Sequence, residues 1–203
     1  MRGAFLAAPL ALALSVAPTP GPAPAAPEND GARRQRPMSF AAPAAEIRKL
    51  AALSGTWNFE ETWAQPERYK RGAYEGVPGA GGSGTLTARP GPGGFSVLFD
   101  YDGRNPMGHV TALDVLSWDP ARRVFELDEI HSAFPGVLHL TGRFEKGDLV
   151  FRGEDARTGP RRALRVVWKG LGEDTWTITS AAAGDHGRLE EIVRTRLRRA
   201  SAP

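Results

Sequence analysis

A glutamate and a histidine, Glu129 and His131, are the residues of this sequence most suited to acid–base chemistry. They stand two positions apart near the end of a run rich in β-branched and aromatic residues. A carboxylate and an imidazole that share a cavity can act as general acid and general base. The same two groups can also hydrogen-bond the polar end of a bound molecule. Both uses stay open from the sequence.

Arg165 is a second candidate, because it stands between two aliphatic residues in an otherwise apolar run. A buried guanidinium needs an oppositely charged partner, since desolvation of the isolated charge is prohibitive. Three interpretations follow: an internal salt bridge, an arginine that faces outward, or an anchor for an anionic head group. Its candidate partners are Glu61, Glu129 and Glu191.

Aromatic side chains predict the apolar wall of an interior. Trp57 begins one aromatic face, and Phe99 and Tyr101 share another, because alternate residues of a strand point the same way. Such faces line either a filled core or a hollow one. In the binding hypothesis Trp57, Phe99 and Tyr101 supply the wall, while Arg165 and His131 orient a polar group.

Other site chemistries find no support in the sequence. There is no cysteine, which excludes thiolate metal sites and cysteine nucleophiles. The four histidines have no metal-ligand spacing, and the last predicted strand has no histidine that could ligate haem. No serine lies in a nucleophile elbow. We therefore expect no metal and no cofactor, and assign no catalytic residue.

The elements that must position these side chains are predicted to be strands. Short runs of β-branched and aromatic residues alternate with Gly, Pro and Asp from Thr56 onward. One short amphipathic helix is predicted over 44–53, and a long loop over 64–83. The predicted strands are 56–63, 84–88, 94–101, 110–118, 123–130, 137–144, 149–152, 162–169, 174–180 and 189–198.

The strand count and the short connections predict the fold class. Most connections are too short for crossover helices, so neighbouring strands should pair antiparallel. Ten strands approach the limit of an open sheet, and closure removes the exposed edges. We predict an all-β, antiparallel up-and-down β-barrel with a short N-terminal helix. A two-sheet sandwich is the alternative.

The N-terminal region predicts export. Arg2 precedes an apolar stretch at 4–17, and Ala23-Pro24-Ala25 is a plausible cleavage motif. We expect a signal peptide over 1–25, a disordered Pro/Ala-rich leader over 26–43 and the barrel domain over 44–199. The expected location is the periplasm or the exterior.

Charge and hydropathy narrow the classes of partner. The chain has 26 Lys and Arg against 23 Asp and Glu, and part of this excess lies in the first 36 residues. The remainder is nearly neutral, which argues against a nucleic-acid binder. No stretch approaches the length of a membrane span, so we expect no membrane insertion. The sequence does not indicate an oligomeric state.

Four segments together resemble a known pattern. Residues 53–57 (LSGTW) are similar to the glycine–x–tryptophan opening of calycin-type barrels. Residues 117–120 (SWDP), 153–165 (GEDARTGPRRALR) and 191–196 (EIVRTR) resemble later motifs of the bacterial, lipocalin-like family catalogued as domain of unknown function 1579. The resemblance covers most of residues 50–199. It implies a calycin-like barrel in which Trp57 closes the floor, and no established activity.

The chain departs from that family at one place. Glu129 and His131 occupy positions where relatives usually have a tryptophan and an aspartate, so no site is transferred from the family. The leading hypothesis is an exported, non-catalytic barrel that binds a small apolar or amphipathic ligand. The alternatives are a packed structural or interaction barrel and an enzyme that uses Glu129 and His131.

Overall fold

The computed structural model describes residues 42–64, 81–157, 159–184 and 186–201. The predicted signal peptide and all but the last two residues of the predicted leader lie outside these ranges. Most of the loop predicted over 64–83 lies outside them as well.

The described chain contains one short helix followed by ten strands. Helix α1 (Ala45–Lys49) continues into a 3₁₀ turn at Leu50–Leu53, as the prediction for 44–53 requires. The strands in chain order are β1 (Gly55–Trp63), β2 (Gly81–Pro90), β3 (Ser96–Asn105), β4 (Gly108–Asp119), β5 (Val124–His131), β6 (Val137–Glu145), β7 (Asp148–Asp155), β8 (Arg162–Lys169), β9 (Thr175–Ala183) and β10 (Leu189–Arg199).

The ten strands form one closed antiparallel barrel. Each strand pairs with its neighbours in sequence, and β1 pairs with β10 to complete the ring. This seam runs from the pair Trp57 and Arg199 to the pair Trp63 and Val193. The predicted up-and-down barrel is therefore confirmed, and the sandwich alternative is excluded. Closure gives every strand two hydrogen-bonded neighbours.

Turn chemistry explains why the chain reverses where it does. Between β6 and β7, Lys146 and Gly147 both have positive φ (53° and 93°), the geometry of a two-residue hairpin turn. Between β4 and β5, Asp119 Oδ1 accepts hydrogen bonds from the backbone N–H of Ala121 (2.8 Å) and Arg122 (3.1 Å). These local interactions set the positions at which the chain reverses between paired strands.

One end of the barrel interior is filled with aromatic side chains, and we call this the packed region. Trp168 lies at its centre, with ring centroids 5.2 Å from Phe151, 5.3 Å from Phe99 and 5.4 Å from Trp176. Trp57 packs edge-on against Trp176 at 5.8 Å. These rings are all at most 2% exposed, as expected of side chains in a closely packed core.

The helix and the 3₁₀ turn cover the packed region. Trp57 Nε1 donates a hydrogen bond to the backbone oxygen of Leu53 (2.8 Å), which ties the turn to β1. The Arg199 guanidinium lies over the Trp57 ring at 4.2 Å. It also donates to the backbone oxygens of Ala52 (2.8 Å) and Ser54 (3.0 Å). The last residue of β10 therefore holds the turn that precedes β1.

Candidate functional site

Away from the packed region the barrel interior is hollow. A cavity of about 700 Å³ lies there, and we call this part of the barrel the cavity region. Strand β1 leads into it, since Trp57 lies in the packed region whereas Glu61 and Trp63 line the cavity. Its apolar lining comes mainly from strands around the barrel and includes Phe59, Leu86, Ala112, Leu127, Leu138, Leu140, Leu164, Val166, Ile178, Ala182 and Ile192.

Glu61 is the centre of one polar group in this cavity. Its carboxylate accepts hydrogen bonds from the Tyr101 hydroxyl (2.6 Å) and from Trp63 Nε1 (2.8 Å), and Asn105 bonds it as well. Burial raises the pKa of Glu61, and these hydrogen bonds oppose the rise by stabilising the ionised form. Gly82 makes room for the carboxylate, because a Cβ there would lie 2.7 Å from Glu61 Oε2.

Tyr101 joins this polar group to the barrel wall. Its ring stacks on Phe59 with centroids 4.3 Å apart and planes inclined by 20°. Burial and the nearby Glu61 carboxylate raise the pKa of the phenol far above its usual range, and Glu129 adds to the rise. The hydroxyl therefore stays protonated and acts as a fixed donor.

Arg157, in the turn that follows β7, organises a second polar group in the cavity. It donates from Nη1 to Glu129 Oε1 (2.8 Å), and from Nη2 and Nε to the two carboxylate oxygens of Asp155 (3.0 and 3.1 Å). Burial alone would lower the pKa of Arg157, but these bonds outweigh it and raise the pKa. The guanidinium also lies 4.8 Å above the Phe134 ring, a cation–π contact.

Asp114 lines the cavity without such support. It stands directly opposite Glu129 in the pairing of β4 with β5. Its Oδ1 is buried and has no hydrogen-bond partner among the described residues. Burial raises the pKa of Asp114 well above its usual range, the charge of Glu129 raises it further, and Arg157 only partly opposes the rise. Burial and the neighbouring carboxylate therefore favour the protonated form of Asp114.

His131 lines the same cavity at the end of β5. Its Nδ1 accepts a hydrogen bond from the backbone N–H of Ala133 (3.0 Å), and its ring lies 4.8 Å from that of Phe134. A neutral imidazole that accepts at Nδ1 carries its proton on Nε2. The turn after β5 thus fixes the tautomer and the orientation of this ring.

The structure brings three of the six sequence-predicted site residues to the cavity. Tyr101, Glu129 and His131 line it. Trp57 and Phe99 face the interior but lie in the packed region, where neighbouring rings surround them. The prediction that both supply a cavity wall therefore does not match their placement. Alternation along a strand gives the face of a residue but not its height in the barrel.

Arg165 lies on the outer surface, contrary to its predicted role at the polar end of a ligand. Its neighbours on β8 line the cavity, so the alternation of side chains turns Arg165 outward. It stands opposite Arg152 and lies close enough to Glu145 to help lower the pKa of that carboxyl, after the larger effect of the Arg152 hydrogen bond. Its predicted partners bond elsewhere, Glu191 for example with Arg194 (2.8 Å).

Three site residues were missed by the sequence reasoning. Asp114 interrupts an apolar run in β4, which is the same signal that drew attention to Arg165. Arg157 and Asp155 stand in a polar turn beyond the predicted end of β7, and that turn reads as a solvent loop. Strand β7 instead extends to Asp155 and carries that side chain to the cavity, and Arg157 lines the cavity from the turn that follows the strand.

No helix among the described residues is long and apolar enough to span a membrane. Within the same residues, no cluster of three or more His, Asp or Glu side chains is arranged to hold a metal ion.

Comparison with known proteins supplies a family and no named relative. No curated protein matches the chain. A family model matches residues 42–199, which is the helix together with all ten strands. The closed ten-strand barrel is consistent with the calycin-like architecture that the sequence motifs imply. The chain therefore belongs to the family described as protein of unknown function (DUF1579).

Proposed function

We propose that this protein is an exported, non-catalytic barrel that binds a small, partly apolar molecule in its interior. The single observation that carries the proposal is the cavity of about 700 Å³. Sites for small molecules are concave, mostly apolar and supplied with a few convergent polar groups, with volumes of roughly 300–1,000 Å³. The cavity has this size and composition.

The polar groups support binding because most of them are already held in place. Arg157 fixes Glu129 and Asp155, and Tyr101 and Trp63 fix Glu61. A site whose side chains are ordered before the ligand arrives loses less entropy on binding. This arrangement favours recognition of a particular ligand over loose accommodation of any apolar molecule.

The alternatives have less support. A packed structural barrel would fill its interior, and a cavity of this size weighs against that hypothesis. An enzyme that uses Glu129 and His131 would need the carboxylate available for proton transfer. Glu129 Oε1 is instead occupied by Arg157, and His131 Nδ1 by a backbone N–H.

Native mass spectrometry tests the binding proposal. The full chain is produced with its own N-terminus in a bacterial host, and the native mass is compared with the denatured mass. We expect an additional mass of a few hundred daltons, roughly what such a cavity encloses, that disappears on denaturation. Identical masses for the native and denatured protein would contradict the proposal.

A matched pair of variants locates the ligand. Ala182 lines the cavity, whereas its neighbour Ala181 has the opposite orientation on β9. Ala182→Phe should fill part of the cavity and remove the additional mass, and Ala181→Phe should retain it. Retention in both variants would place the ligand outside the cavity.

Export has its own test. The proposal expects the protein in the periplasm or the medium, with an N-terminal residue near Ala26 by sequencing of the recovered chain. Recovery of an uncleaved chain from the cytoplasm would contradict export and leave the binding proposal standing.

A further inference from the structure

We propose that the molecule held in the cavity carries a protonated amine, and that this cation binds the carboxyl of Asp114. The inference rests on the proposed function, because it names the chemistry of the ligand of that same cavity. Three observations support it. Carboxyl groups outnumber guanidinium groups around the cavity, Arg157 is already bonded to carboxylates, and Asp114 Oδ1 has no hydrogen-bond partner among the described residues.

The charges that line the cavity favour a cation. Four carboxyl side chains line it. With Asp114 neutral, three carboxylates still stand against two guanidinium groups, and one of the latter, Arg162, is exposed. A cavity with surplus carboxyls surrounded by low-dielectric walls raises the local preference for positive charge. The carboxyls are those of Glu61, Asp114, Glu129 and Asp155.

Arg157 is not an open receptor for an anion. Each of its three side-chain nitrogens already donates to a carboxylate oxygen, two to Asp155 and one to Glu129. An anionic ligand at Arg157 would lie beside the carboxylates of Glu129 and Asp155, which neutralise the guanidinium and repel a further negative charge. The buried guanidinium therefore serves the protein itself.

Asp114 is the group that lacks a donor. Glu61 accepts hydrogen bonds from the side chains of Tyr101 and Trp63, whereas Asp114 Oδ1 has no partner among the described residues. An unsatisfied buried acceptor costs free energy, and a ligand that supplies the donor regains it. An ammonium supplies three N–H donors together with the charge that a carboxylate requires.

Binding of an amine at Asp114 should release a proton. The pKa of Asp114 is raised by burial and by Glu129, which favours the protonated form of the unliganded carboxyl. The arriving ammonium replaces this proton, which passes to solvent, and the net charge of the cavity is unchanged. Apparent affinity for the cation then rises with pH, by up to about tenfold per unit, until Asp114 ionises without ligand. The charged groups facing Asp114 are Glu129 on β5 and Arg157 beyond β7.

A series of three probes with one apolar body tests the inference. Calorimetric titration of the full chain with 2-phenylethylammonium, 2-phenylethanol and 3-phenylpropanoate compares a cation, a neutral alcohol and an anion. We expect the amine to bind at least about tenfold more tightly than the alcohol, and the carboxylate most weakly. Titration in buffers of different protonation enthalpy should show about one proton released per amine bound.

Two variants assign the preference to one carboxyl. Asp114→Asn keeps the shape of the side chain and should remove both the preference for the amine and the proton release. Glu60→Gln removes a carboxylate from the outer face of β1 and should leave both unchanged. A variant Asp114→Asn that still prefers the amine overturns the inference.

The outcomes separate this inference from the proposed function. Equal binding of all three probes, or tightest binding of the carboxylate, overturns the cationic ligand while binding in the cavity stands. Binding of none of the three overturns the cationic ligand, and the comparison of native and denatured masses then decides the proposed function separately. The probe series uses the unmodified protein, so it decides the matter even if a variant fails to fold.

Discussion

The packed region and the cavity region are built by the same ten strands, yet their interiors differ in kind. In the packed region Trp57, Trp168 and Trp176 fill the space with rings in contact. In the cavity region the inward positions carry Glu61, Asp114 and other polar side chains around open space. The fold is stabilised at one end, which leaves the other end able to carry unfavourable buried charge.

Strand β1 shows the change within a few residues. Trp57 is fully buried among rings, the Phe59 ring lies close to Gly84 of β2 and Gly103 of β3, and Glu61 reaches the cavity. Glycines at 84 and 103 allow this, because a Cβ at either position would lie within 2.6 Å of the Phe59 ring. The boundary between the two regions therefore depends on the absence of two side chains as much as on the presence of others.

Truncation of a leucine in each region should give the largest contrast. Leu149 is fully buried in the packed region, whereas Leu127 lines the cavity. Leu149→Ala should reduce the free energy of unfolding by about 3–5 kcal/mol, because it leaves a new void. Leu127→Ala should cost about 2 kcal/mol, since its site already borders open space. Urea unfolding measures both losses of free energy. Equal losses would show that the packed region and the cavity region do not differ in packing.

An alanine at the boundary should cost somewhat less. The Cβ of Gly84→Ala would lie 2.2 Å from the backbone oxygen of Asp102 and 2.6 Å from the Phe59 ring, so the backbone must shift. We expect a loss of about 2–3 kcal/mol in unfolding free energy. Gly81→Ala is the control, because its nearest contact is an ordinary 3.6 Å. If both variants have the same unfolding free energy in urea, the close approach of Gly84 to Phe59 does not contribute to stability.

The pH dependence of stability should come from the cavity region. Asp114 has a raised pKa in the folded protein, so the folded state binds more protons than the unfolded state above about pH 3.8. Stability then falls as pH rises, until the pH passes the folded pKa, with a slope of at most about 1.4 kcal/mol per unit for this group. The raised pKa of Glu61 acts in the same direction.

The variant Asp114→Asn should flatten that decline. Its unfolding free energy, measured by denaturant titration from pH 4 to neutrality, should decrease less with rising pH than the unfolding free energy of the wild type. Glu60→Gln on the outer face provides the matched loss of a carboxylate. Parallel profiles of the wild type and Asp114→Asn over this window would show that the pKa of Asp114 is not raised in the folded protein.

Removal of one hydroxyl in the cavity should have the smallest effect. Tyr101→Phe deletes the donor of the 2.6 Å bond to Glu61 but keeps the ring stacked on Phe59. We expect a loss of about 1 kcal/mol in unfolding free energy, together with a further rise in the pKa of Glu61. A chemical-shift titration of the glutamate carboxyl carbon reports the pKa. An unchanged titration would mean that Tyr101 does not stabilise the carboxylate.

The fold could be predicted from the sequence because its signals are local. All ten strands were located from alternation and turn residues, with ends that differ mostly by one to four residues. The Asp119 turn and the turn at Lys146 and Gly147 are set by neighbouring residues alone. Closure then followed from the strand count and the short connections.

The site was predictable only in part, because it depends on contacts between distant segments. Glu129 and His131 were found as a pair, yet the partner of Glu129 is Arg157, 28 residues away along the chain. The sequence cannot show this contact, and it cannot show how high each inward residue lies in the barrel. Trp57 and Phe99 were therefore predicted as cavity wall although they lie in the packed region.

The seam between β1 and β10 has a consequence for the way the barrel forms. Every other pairing joins strands adjacent in sequence and can arise as a local hairpin, whereas this one closes a loop of more than a hundred residues. Long-range closure carries the larger entropic cost and tends to limit the folding rate. Until β10 docks, β1 and β9 both present unpaired edges on which other chains can assemble. The time during which this protein is prone to aggregate is therefore set by the arrival of its last strand.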